Sequence, residues 1–512
     1  MKKKVIIIGS GMAGLSAGCY LRMNGYETDL FEMQDVPGGV CTSWRRGEYT
    51  VDFCLHWLVG SGSANSFYNR WSELIDMEHI QFIDHEEYAR VEDEQGRCIR
   101  LFTNVDRLEA ELLQKAPEDK PEILRFTEAI RKLTTLDLPS EKAEELANLW
   151  DRMKTAWKML PYLGLFGKYM RLSNKEYAQR FKNPLLRKAI TNLFEPEMTL
   201  IFSMMTLAWM HTQSAGYPIG GSMRFALKVA HRYQRLGGRI NFHSRVDKIL
   251  VEDNRAVGIQ LADGSQHFAD YVISAADGHS TIFKMLEGKY SNPELLKAFE
   301  SRPTFPSLVF VALGVGRSFE GEPHSLLFPL CAPFRVDSQT TIDDLYLRIH
   351  NFDPSLAPEG KTLLTVMIET YDHRFWQRLY EESPEQYQAE KERIAETVIH
   401  ALEHRLGNIQ AHLEMTDVAT PATFIHYTNN WKGSFEGWLI TPESGMQPIP
   451  HQLEGLDHFY LCGHWVAVGG GLPTVLLSGR DVAQLICHSD GQPFVVTPPV
   501  GDEVREKSKV IH

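Results

Sequence analysis

The chain contains 512 residues, of which 43% are hydrophobic and 23% are charged. This length allows two or three domains with a large core, and the composition is that of an ordinary globular enzyme. The formal net charge of −13 argues against a nucleic-acid partner. The seven cysteines form no C-x-x-C pair and no cluster with histidine at zinc spacing. This predicts reduced thiols in a reducing compartment and no metal site.

The N-terminal sequence has the pattern of a strand, a glycine-rich turn and a helix. An apolar run at residues 4–8 leads into the turn at residues 9–14, and a second apolar run ends at Glu32. In such a unit the first glycine permits the tight turn, the second lets a pyrophosphate approach and the third lets the helix pack closely. The helix N-terminus faces the phosphates, and the acidic residue accepts hydrogen bonds from a ribose. The predicted contacts with a dinucleotide are Gly9, Gly11, Met12, Ala13, Gly14 and Glu32.

The glycine-rich turn at residues 9–14 also argues against a cleaved N-terminal signal peptide. The lysines at residues 2–4 look like the start of a signal peptide, but cleavage would remove the nucleotide turn, so no signal peptide is expected. No apolar run reaches the roughly 18 residues of a membrane span. The run at residues 198–210 has the length of a buried core helix. These features predict a cytoplasmic protein.

The middle of the chain is predicted to be helical first and then rich in strands. Residues 105–215 contain few turn residues and many Leu, Lys, Glu and Met, which favours helices. A glycine-rich stretch at residues 216–221 precedes a helix at residues 223–236, which two glycines end. The turn at residues 262–265 joins two of the following strands as a hairpin. These strands are predicted at residues 239–242, 246–252, 256–261 and 271–274.

The C-terminal half mixes both types of element and ends in a second glycine loop. The loop at residues 469–471 lies between a strand and the last helix, and the tail after residue 491 is expected to be loosely ordered. The predicted strands are residues 307–313, 361–370 and 459–462, and the predicted helices are residues 384–406 and 473–487.

The α/β segments at the beginning, middle and end of the chain are separated by two inserts. They predict an α/β fold, with a discontinuous Rossmann-like domain of the glutathione reductase type and an inserted α+β substrate domain. FAD is favoured over NAD because a glycine pair follows Glu32 and a glycine loop precedes the last helix. The FAD-binding domain is predicted at residues 1–75, 216–290 and 455–490, the substrate domain at residues 76–215 and 291–454, and a tail at residues 491–512.

Several motifs spread over the chain occur together. They are the N-terminal glycine set with Glu32, the pair Gly38 and Gly39, residues 217–221 before a helix, Val246, residues 274–277, residues 462–463 and residues 469–480. With them the chain resembles the flavin amine oxidase-like superfamily over nearly its whole length. Within that superfamily it is most similar to the group of phytoene desaturases, carotenoid isomerases and retinol saturase.

The resemblance implies FAD as the cofactor and assigns further contacts to it. In such enzymes the residue at the position of Val246 binds the adenine side through its backbone, and the stretch at residues 470–475 lies against the flavin ring. The further contacts so implied are Gly38, Gly39, Val40, Asp52, Val246, Gly463, Gly470, Leu472, Pro473 and Val475.

Two departures from the desaturase pattern leave the reaction open. Desaturases usually carry a basic residue directly after the paired glycines, whereas residues 40–43 contain none. Residues 51–57 replace the Gly-Pro-Thr version of that segment, and a histidine at the position of His56 is similar to the retinol saturase pattern. The resemblance therefore implies desaturation, saturation or cis–trans isomerisation of an extended apolar polyene or isoprenoid. Quinone, oxygen or a small carrier are all open as the electron partner.

Such chemistry moves a hydride between a substrate carbon and the flavin, and an acid or base can assist the accompanying proton transfer. His56 and His464 are the candidates, because each lies beside a cofactor-associated motif and histidine titrates near neutral pH. The alternative is that each only packs on or hydrogen-bonds the cofactor. Asp52 either orients His56 or braces the loop of Gly38 and Gly39.

Two segments bear on where the protein is located in the cell and on the substrate that it binds. Residues 157–171 mix aromatic, apolar and basic side chains, which suits peripheral contact with an anionic membrane or a pair of core helices with snorkelling lysines. A second segment either lines an apolar substrate tunnel or belongs to the core. Its residues are Met198, Met204, Met205, Trp209 and Met210.

Two other functions stay open at this point. An amine oxidase-type enzyme would require an aromatic pair facing the flavin, to which Trp465 could contribute, and an acidic entrance. A prenyl-binding protein of the GDP dissociation inhibitor type would use the same fold without flavin. The complete glycine set argues against the second alternative, because a protein without flavin has no need of it.

Overall fold

The structure is a computed structural model that describes residues 2–138 and 141–499. The strands in the described residues are β1 (Lys4–Ile8), β2 (Glu27–Phe31), β3 (Ser43–Arg46), β4 (Tyr49–Asp52), β5 (Leu58–Val59), β6 (Phe82–Ile83), β7 (Glu87–Glu92), β8 (Cys98–Phe102), β9 (Ala215–Pro218), β10 (Arg239–Asn241), β11 (Val246–Glu252), β12 (Arg255–Leu261), β13 (Gln266–Phe268), β14 (Tyr271–Ser274), β15 (Ser307–Val315), β16 (Ser325–Arg335), β17 (Thr341–Ile349), β18 (Thr362–Thr370), β19 (Leu413–Ala419) and β20 (Phe459–Leu461). The helices are α1 (Met12–Met23), α2 (Ser66–Leu74), α3 (Val105–Lys115), α4 (Lys120–Leu133), α5 (Leu149–Met159), α6 (Leu163–Tyr169), α7 (Asn174–Ala178), α8 (Pro184–Thr191), α9 (Leu200–His211), α10 (Gly221–Arg235), α11 (Pro293–Ser301), α12 (His373–Glu382), α13 (Pro384–Leu406), α14 (Pro421–Thr428) and α15 (Leu472–Ser489).

A five-stranded parallel sheet holds the N-terminal turn. Its order is β10-β2-β1-β14-β20, and β1 pairs in parallel with β2 and β14 through Ile7, opposite Leu30 and Ile273. Helices α1, α10 and α15 pack on one face, and the antiparallel strands β11 to β13 pack on the other. Because both faces are covered, β1 is an unbroken apolar run. The predicted Rossmann-like α/β arrangement is confirmed.

The strands of this sheet come from three separated stretches of the chain, since β1 and β2 are N-terminal, β10 and β14 central, and β20 C-terminal. The boundaries predicted for the two domains stay a prediction.

A second sheet forms one wall of the substrate side of the molecule. Its order is β19-β15-β18-β17-β16-β7-β8, with antiparallel pairing except between β16 and β7. Side chains alternate between the two faces. In β17, Leu345, Leu347 and Ile349 pack into the cluster formed with α12 and α13, so Tyr346 and Arg348 point to the opposite face.

The helical prediction for residues 105–215 is confirmed, because α3 to α9 occupy most of that range. Their apolar faces form one buried cluster with β7 and β8. The strand β11 and the helix α13 have the predicted bounds, and the other predicted elements agree to within one or two residues.

One prediction about a hairpin was wrong. The turn at residues 262–265 pairs β12 with β13, a short polar strand that the sequence analysis did not include, while β14 joins the parallel sheet. In the tail, Phe494 packs against Tyr20 and Val495 N–H donates to Asn24 Oδ1 at 2.7 Å, while residues 492–499 form no helix or strand; the loose order of the tail stays a prediction. The rest of the predicted tail lies outside the described residues.

Candidate functional site

A continuous cavity of about 1380 Å³ lies between the two large sheets. One end is formed by the segments that follow the carboxyl ends of β1, β2, β14 and β20. The other end reaches Tyr346 and Arg348 on β17 and Met367 and Glu369 on β18. Ligands of open α/β sheets bind outside the carboxyl ends of the strands, so this cavity is the candidate site.

The glycine turn after β1 forms a cradle with almost no side chains. Gly9 has a φ of +91°, and a Cβ at Gly14 would overlap the Gly9 carbonyl oxygen. Gly38 N–H donates to Ser10 O at 2.9 Å, and a Cβ at Gly39 would lie 3.2 Å from Gly11 Cα. No side chain caps the N-terminus of α1, so its first N–H groups are free for phosphate oxygens.

Glu32 is buried at the end of β2 with its carboxylate already oriented. One oxygen accepts hydrogen bonds from Ser10 N–H and Ser10 Oγ, both at 2.8 Å. The other accepts from Gln34 N–H at 3.0 Å. A carboxylate has about four acceptor positions, so Glu32 keeps capacity for a ribose hydroxyl. These contacts and the glycine cradle fit the dinucleotide half of FAD.

A second glycine loop lies opposite this cradle. Gly471 precedes α15, and no side chain caps the helix N-terminus. The Gly471 N–H donates to Glu436 Oε1 at 3.1 Å, and a Cβ at Gly470 would overlap the Glu436 carboxylate. Helix α15 also packs closely on α1, where a Cβ at Gly479 would overlap the Ala13 carbonyl oxygen. Two helix N-termini therefore face one cavity.

Most of the predicted cofactor contacts line the cavity. Those lining it are Gly9, Gly11, Met12, Ala13, Glu32, Gly38, Gly39, Val40, Gly463, Gly470, Leu472, Pro473 and Val475. Gly14 lies behind the turn, and Val246 is buried at the start of β11 in the cluster that includes Phe31. Neither lines the cavity, so their contacts with FAD stay predictions.

Asp52 makes different contacts from the two that were predicted. Its carboxylate accepts from Ser222 N–H at 2.8 Å and from Tyr217 Oη–H at 3.5 Å, which fixes the beginning of α10. Burial raises the pKa of this carboxyl to about 7. The contacts differ from the prediction because α10 begins directly beside Asp52. Gly221 allows this close approach, since a Cβ at Gly221 would overlap the Asp52 carboxylate.

Both candidate histidines line the cavity. Burial lowers the pKa of His464 to about 4. Burial lowers the pKa of His56 well below its usual range, and the charge of Arg348 contributes. Both imidazoles are therefore neutral near pH 7, which makes them hydrogen-bonding partners or bases and poor proton donors. Their catalytic roles stay predictions.

A carboxyl cluster in the cavity was missed by the sequence analysis. Glu195, Glu369 and Glu436 all line it, and Glu195 shares a hydrogen bond with Glu369. Burial raises the pKa of Glu195 and of Glu369, and it raises the pKa of Glu436 to about 7. The three residues come from a loop, β18 and a distant loop, so no spacing in the sequence indicates the cluster.

The predicted methionine-rich tunnel is present in part. Met198, Met205 and Trp209 line the cavity. Met204 is fully buried in the helical cluster, and Met210 lines a smaller neighbouring cavity instead. The difference follows from the helical repeat of α9, because one face of the helix points to the cavity and the other to the core.

The comparison with protein families decides the class of this site. The family described as flavin containing amine oxidoreductase matches residues 12–487. The chain belongs to this family. This flavin-containing oxidoreductase is thus an enzyme with FAD as its cofactor, as the glycine cradle and Glu32 predict.

Relatives of this oxidoreductase match over nearly the full length of both chains. It is 26% identical to a 4,4'-diapophytoene desaturase of Methylomonas sp, covering 94% of this chain and 95% of the relative. It is also 26% identical to the chloroplastic prolycopene isomerase of Arabidopsis thaliana, covering 95% of this chain and 83% of the relative.

Solved structures show the same fold at lower identity. A wild-type putrescine oxidase bound to putrescine has a TM-score of 0.59 at 13% identity and covers 95% of this chain and 99% of its own. An oxidoreductase from Methanosarcina mazei has a TM-score of 0.57 at 17% identity, covering 94% and 99%. At such identities the likeness is one of fold.

Proposed function

We propose that this oxidoreductase forms, reduces or isomerises C=C bonds of an extended apolar polyene. The observation that carries the proposal is the continuity of the FAD cradle with a long cavity that carries many apolar side chains before its charged far end at Glu369 and Arg348. Its apolar side chains include Trp57, Phe194, Met198, Phe202, Met205 and Leu327. Two relatives, named as a diapophytoene desaturase and a prolycopene isomerase, support a polyene substrate.

The residues that hold FAD in this proposal come from both glycine loops. The N-terminus of α1 and Glu32 hold the pyrophosphate and the ribose, and the loop at residues 469–471 with the start of α15 holds the flavin end. When bound, FAD supplies the acceptor or donor for a hydride. Gly38 and Gly39 close the cradle from the side of α10, because the Gly38 position leaves no room beside Ala226.

The protein side chains align the polyene and handle the proton. The apolar walls exclude water from the bond that reacts. Glu195 and Glu369 share a hydrogen bond within the cavity, and adjacent carboxyl groups retain one proton to higher pH than a single carboxyl does. This pair is therefore the proposed source or acceptor of a proton. His464, which is neutral and lies at the FAD end of the cavity, is proposed to orient the reacting part of the polyene. His56, also neutral, is proposed to contact the polyene near Arg348.

A second candidate, oxidation of an amine, has one observation in its favour. The carboxyl cluster of Glu195, Glu369 and Glu436 together with Trp465 lines the cavity, and such groups can bind a cation. The raised pKa values of these carboxyls oppose it, because neutral carboxyls attract an ammonium group weakly. The polyene is therefore preferred.

Membrane contact is proposed through the helix α5 and the turn after it. No helix in the part of the chain that the structure describes is long and apolar enough to cross a bilayer. None of the residues of α5 is buried, and Leu149, Trp150 and Trp157 are more than 70% exposed. Residues 149–171 carry five basic side chains and one acidic one. An amphipathic helix of this kind lies in the interface of an anionic bilayer.

The position of this surface relative to the cavity supports the same proposal. Thr135 hydrogen-bonds Tyr162 in the turn after α5, at 2.9 Å. Three residues later, Leu138 is 37% exposed and lines the cavity. A polyene could therefore pass from the bilayer into the cavity beside α5. A quinone in the same bilayer is the proposed electron partner, with oxygen or a small carrier as the alternatives.

Product analysis tests the proposed function. The FAD-loaded protein is incubated in anionic liposomes with phytoene or with tetra-cis-lycopene, with and without a quinone, and the polyene is analysed by chromatography and mass spectrometry. We expect loss of two hydrogens, gain of two hydrogens or an unchanged mass with a new retention time. The three outcomes correspond to desaturation, saturation and isomerisation. Unchanged polyenes together with peroxide formation from an added amine would contradict the proposal and favour the amine oxidase.

A further inference from the structure

Arg348 occupies an unusual position at the far end of the cavity. It lies on β17 with only 6% of its surface exposed. It lines the main cavity and also a side cavity of about 20 Å³. The side cavity is bounded by His56, His85 and His324. The rings of His85 and His324 are stacked, with centroids 3.6 Å apart. A buried guanidinium thus faces a space large enough for one small polar group.

Arg348 has no ion-pair partner among residues 2–138 and 141–499. Its Nε is buried without a hydrogen-bond partner, and so are His85 Nε2 and His350 Nδ1 beside it. Its guanidinium carbon lies 5.5 Å from the ring centroid of Tyr346. Three orphaned polar atoms in one cluster are uncommon, because buried polar groups are normally paired.

The groups around Arg348 do not neutralise its charge. Burial lowers the pKa of His85 to about 4 and of His350 to about 3. The pKa values of His56 and His324 are lowered well below their usual range, also by burial. All four imidazoles are therefore neutral near pH 7, and none of them supplies a counter-charge to the Arg348 guanidinium.

Two acidic residues, Glu87 and Asp84, line the side cavity. Glu87 pairs with Arg100 and, at 3.3 Å, with Arg90. Asp84 forms no ion pair with Arg348 among the described residues, and burial raises the pKa of its carboxyl. On the main-cavity side, Asp344 of the same strand pairs with Lys188. Burial of a cation without a counter-charge is unfavourable, so an anion from outside the chain would stabilise Arg348 in this position.

We propose that Arg348 binds the carboxylate of an acid-terminated polyene. The inference rests on the proposed function, since it places the apolar part of the same substrate in the main cavity and its charged end in the side cavity. A carboxylate matches the planar guanidinium, and it would also accept a hydrogen bond from His85, which lines the side cavity and whose Nε2 has no partner. The side cavity admits the tip of a carboxylate, whereas a diphosphate is too large for about 20 Å³. A hydrocarbon end would leave Arg348 uncompensated.

Binding of a matched pair of ligands tests this inference. All-trans-retinoic acid and its methyl ester share one polyene chain and differ in the charge at its end. Each is titrated into the FAD-loaded protein, with flavin fluorescence or polyene absorption as the readout. We expect the acid to bind about tenfold or more tightly than the ester, because only the acid pairs with the buried cation. Equal affinities for the two ligands would overturn the inference.

Two variants separate the role of Arg348 from a general effect of charge. Arg348→Met is expected to abolish the preference for the acid while the ester binds as before. Arg46→Met is the matched control, because Arg46 also lines the cavity but already pairs with Asp417 at 3.1 Å; it should keep the preference. A preference that survives in Arg348→Met would overturn the inference. If that variant does not fold, the acid-to-ester ratio of the unchanged protein decides alone.

The outcomes also distinguish this inference from the proposed function. Selective binding of the acid without conversion of any polyene would contradict the proposed function and leave the carboxylate site in place. Conversion of a hydrocarbon polyene with equal binding of acid and ester would support the proposed function and contradict the carboxylate site.

Discussion

Among single residues, Gly14 has the most direct consequence for the cofactor. It does not touch the cavity, yet a methyl group at this position would overlap the Gly9 carbonyl oxygen and push α1 away from the turn. The free N–H groups of the helix would then leave the place where the pyrophosphate is expected. The conformation of the turn, and not a side-chain contact, is what this residue provides.

We expect Gly14→Ala to reduce the FAD content of the purified protein strongly. Overpacking of this kind costs about 1–3 kcal/mol, which weakens binding roughly tenfold or more. The measurement is the ratio of flavin to protein absorbance. Gly164→Ala is the control, since nothing lies within 4 Å of a Cβ at Gly164. Equal flavin content in both variants would contradict the assignment of the turn.

The carboxyl pair predicts a pH dependence at the same scale. Burial raises the pKa of Glu195 above its usual value, and Glu369 contributes to the shift. The proton of the pair is therefore present at low pH and is lost as the pH rises through this raised pKa. We expect the rate to fall along that limb for a conversion in which the pair donates the proton, and to rise for one in which the pair accepts it. In Glu195→Gln the rate should fall by about a hundredfold and the limb should disappear.

The control for this experiment is Glu197→Gln. Glu197 is exposed and pairs with Lys175 at 2.9 Å, so its rate and pH profile should match those of the unchanged protein. A Glu195→Gln variant that keeps both the rate and the pH profile would show that the carboxyl pair does not transfer the proton.

Single residues differ in how far the sequence predicts them. Gly9, Gly11 and Glu32 could be predicted because the chemistry of their site depends on neighbours within one βαβ unit. Glu195, Glu369 and Arg348 could not, because their meaning depends on partners brought together from separate strands and loops. The contacts of Asp52 were mispredicted for the same reason, since they depend on where α10 begins.

At the scale of elements, α5 is the clearest case of a surface without a partner inside the chain. Its exposed apolar residues lie on the same helix as Arg152, Lys154 and Lys158. An exposed apolar patch rimmed by basic side chains marks an interaction surface. The sequence indicated the mixed composition of residues 157–171. Within that range no residue of α5 is buried, whereas Tyr169 of α6 is buried and Leu165 and Phe166 pack on the helical cluster, so both alternatives stay open for the segment as a whole.

We expect Trp157→Ser to weaken binding to vesicles that contain anionic lipid. Loss of one buried indole costs about 2 kcal/mol, which corresponds to roughly tenfold or more in affinity. Co-sedimentation with vesicles is the measurement. Phe268→Ser serves as the control, because Phe268 is 56% exposed but lies on β13, in another part of the molecule. If both variants bind vesicles like the unchanged protein, α5 is not the membrane contact.

The elements themselves were predictable where their pattern is local. Strand β11 and helix α13 follow from uninterrupted periodic sequences between clear turn residues. Strand β13 is only three residues long, and its sequence is Gln-His-Phe, so it has no apolar run. It forms because β12 offers it a free edge, which is a property of the sheet and not of the segment.

At the scale of the whole molecule, function depends on how two sheets enclose one cavity. The glycine turns predict the FAD end, and the family resemblance implies an apolar substrate. The length of the cavity and its charged far end depend on the seven-stranded sheet, whose strands come from residues 87–102 and 307–419. Pairing over such separations has no local signal in the sequence, which is why Arg348 was not among the predicted site residues.

An anaerobic absorption experiment tests the central claim most directly. The FAD-loaded protein is mixed without oxygen with a polyene or, separately, with an amine, and both flavin and polyene bands are recorded. The account predicts that the polyene changes the flavin bands, or that its own bands change on the reduced protein, while the amine has no effect. The central claim would be contradicted if the amine bleached the flavin while mixing with the polyene changed neither the flavin bands nor the polyene bands.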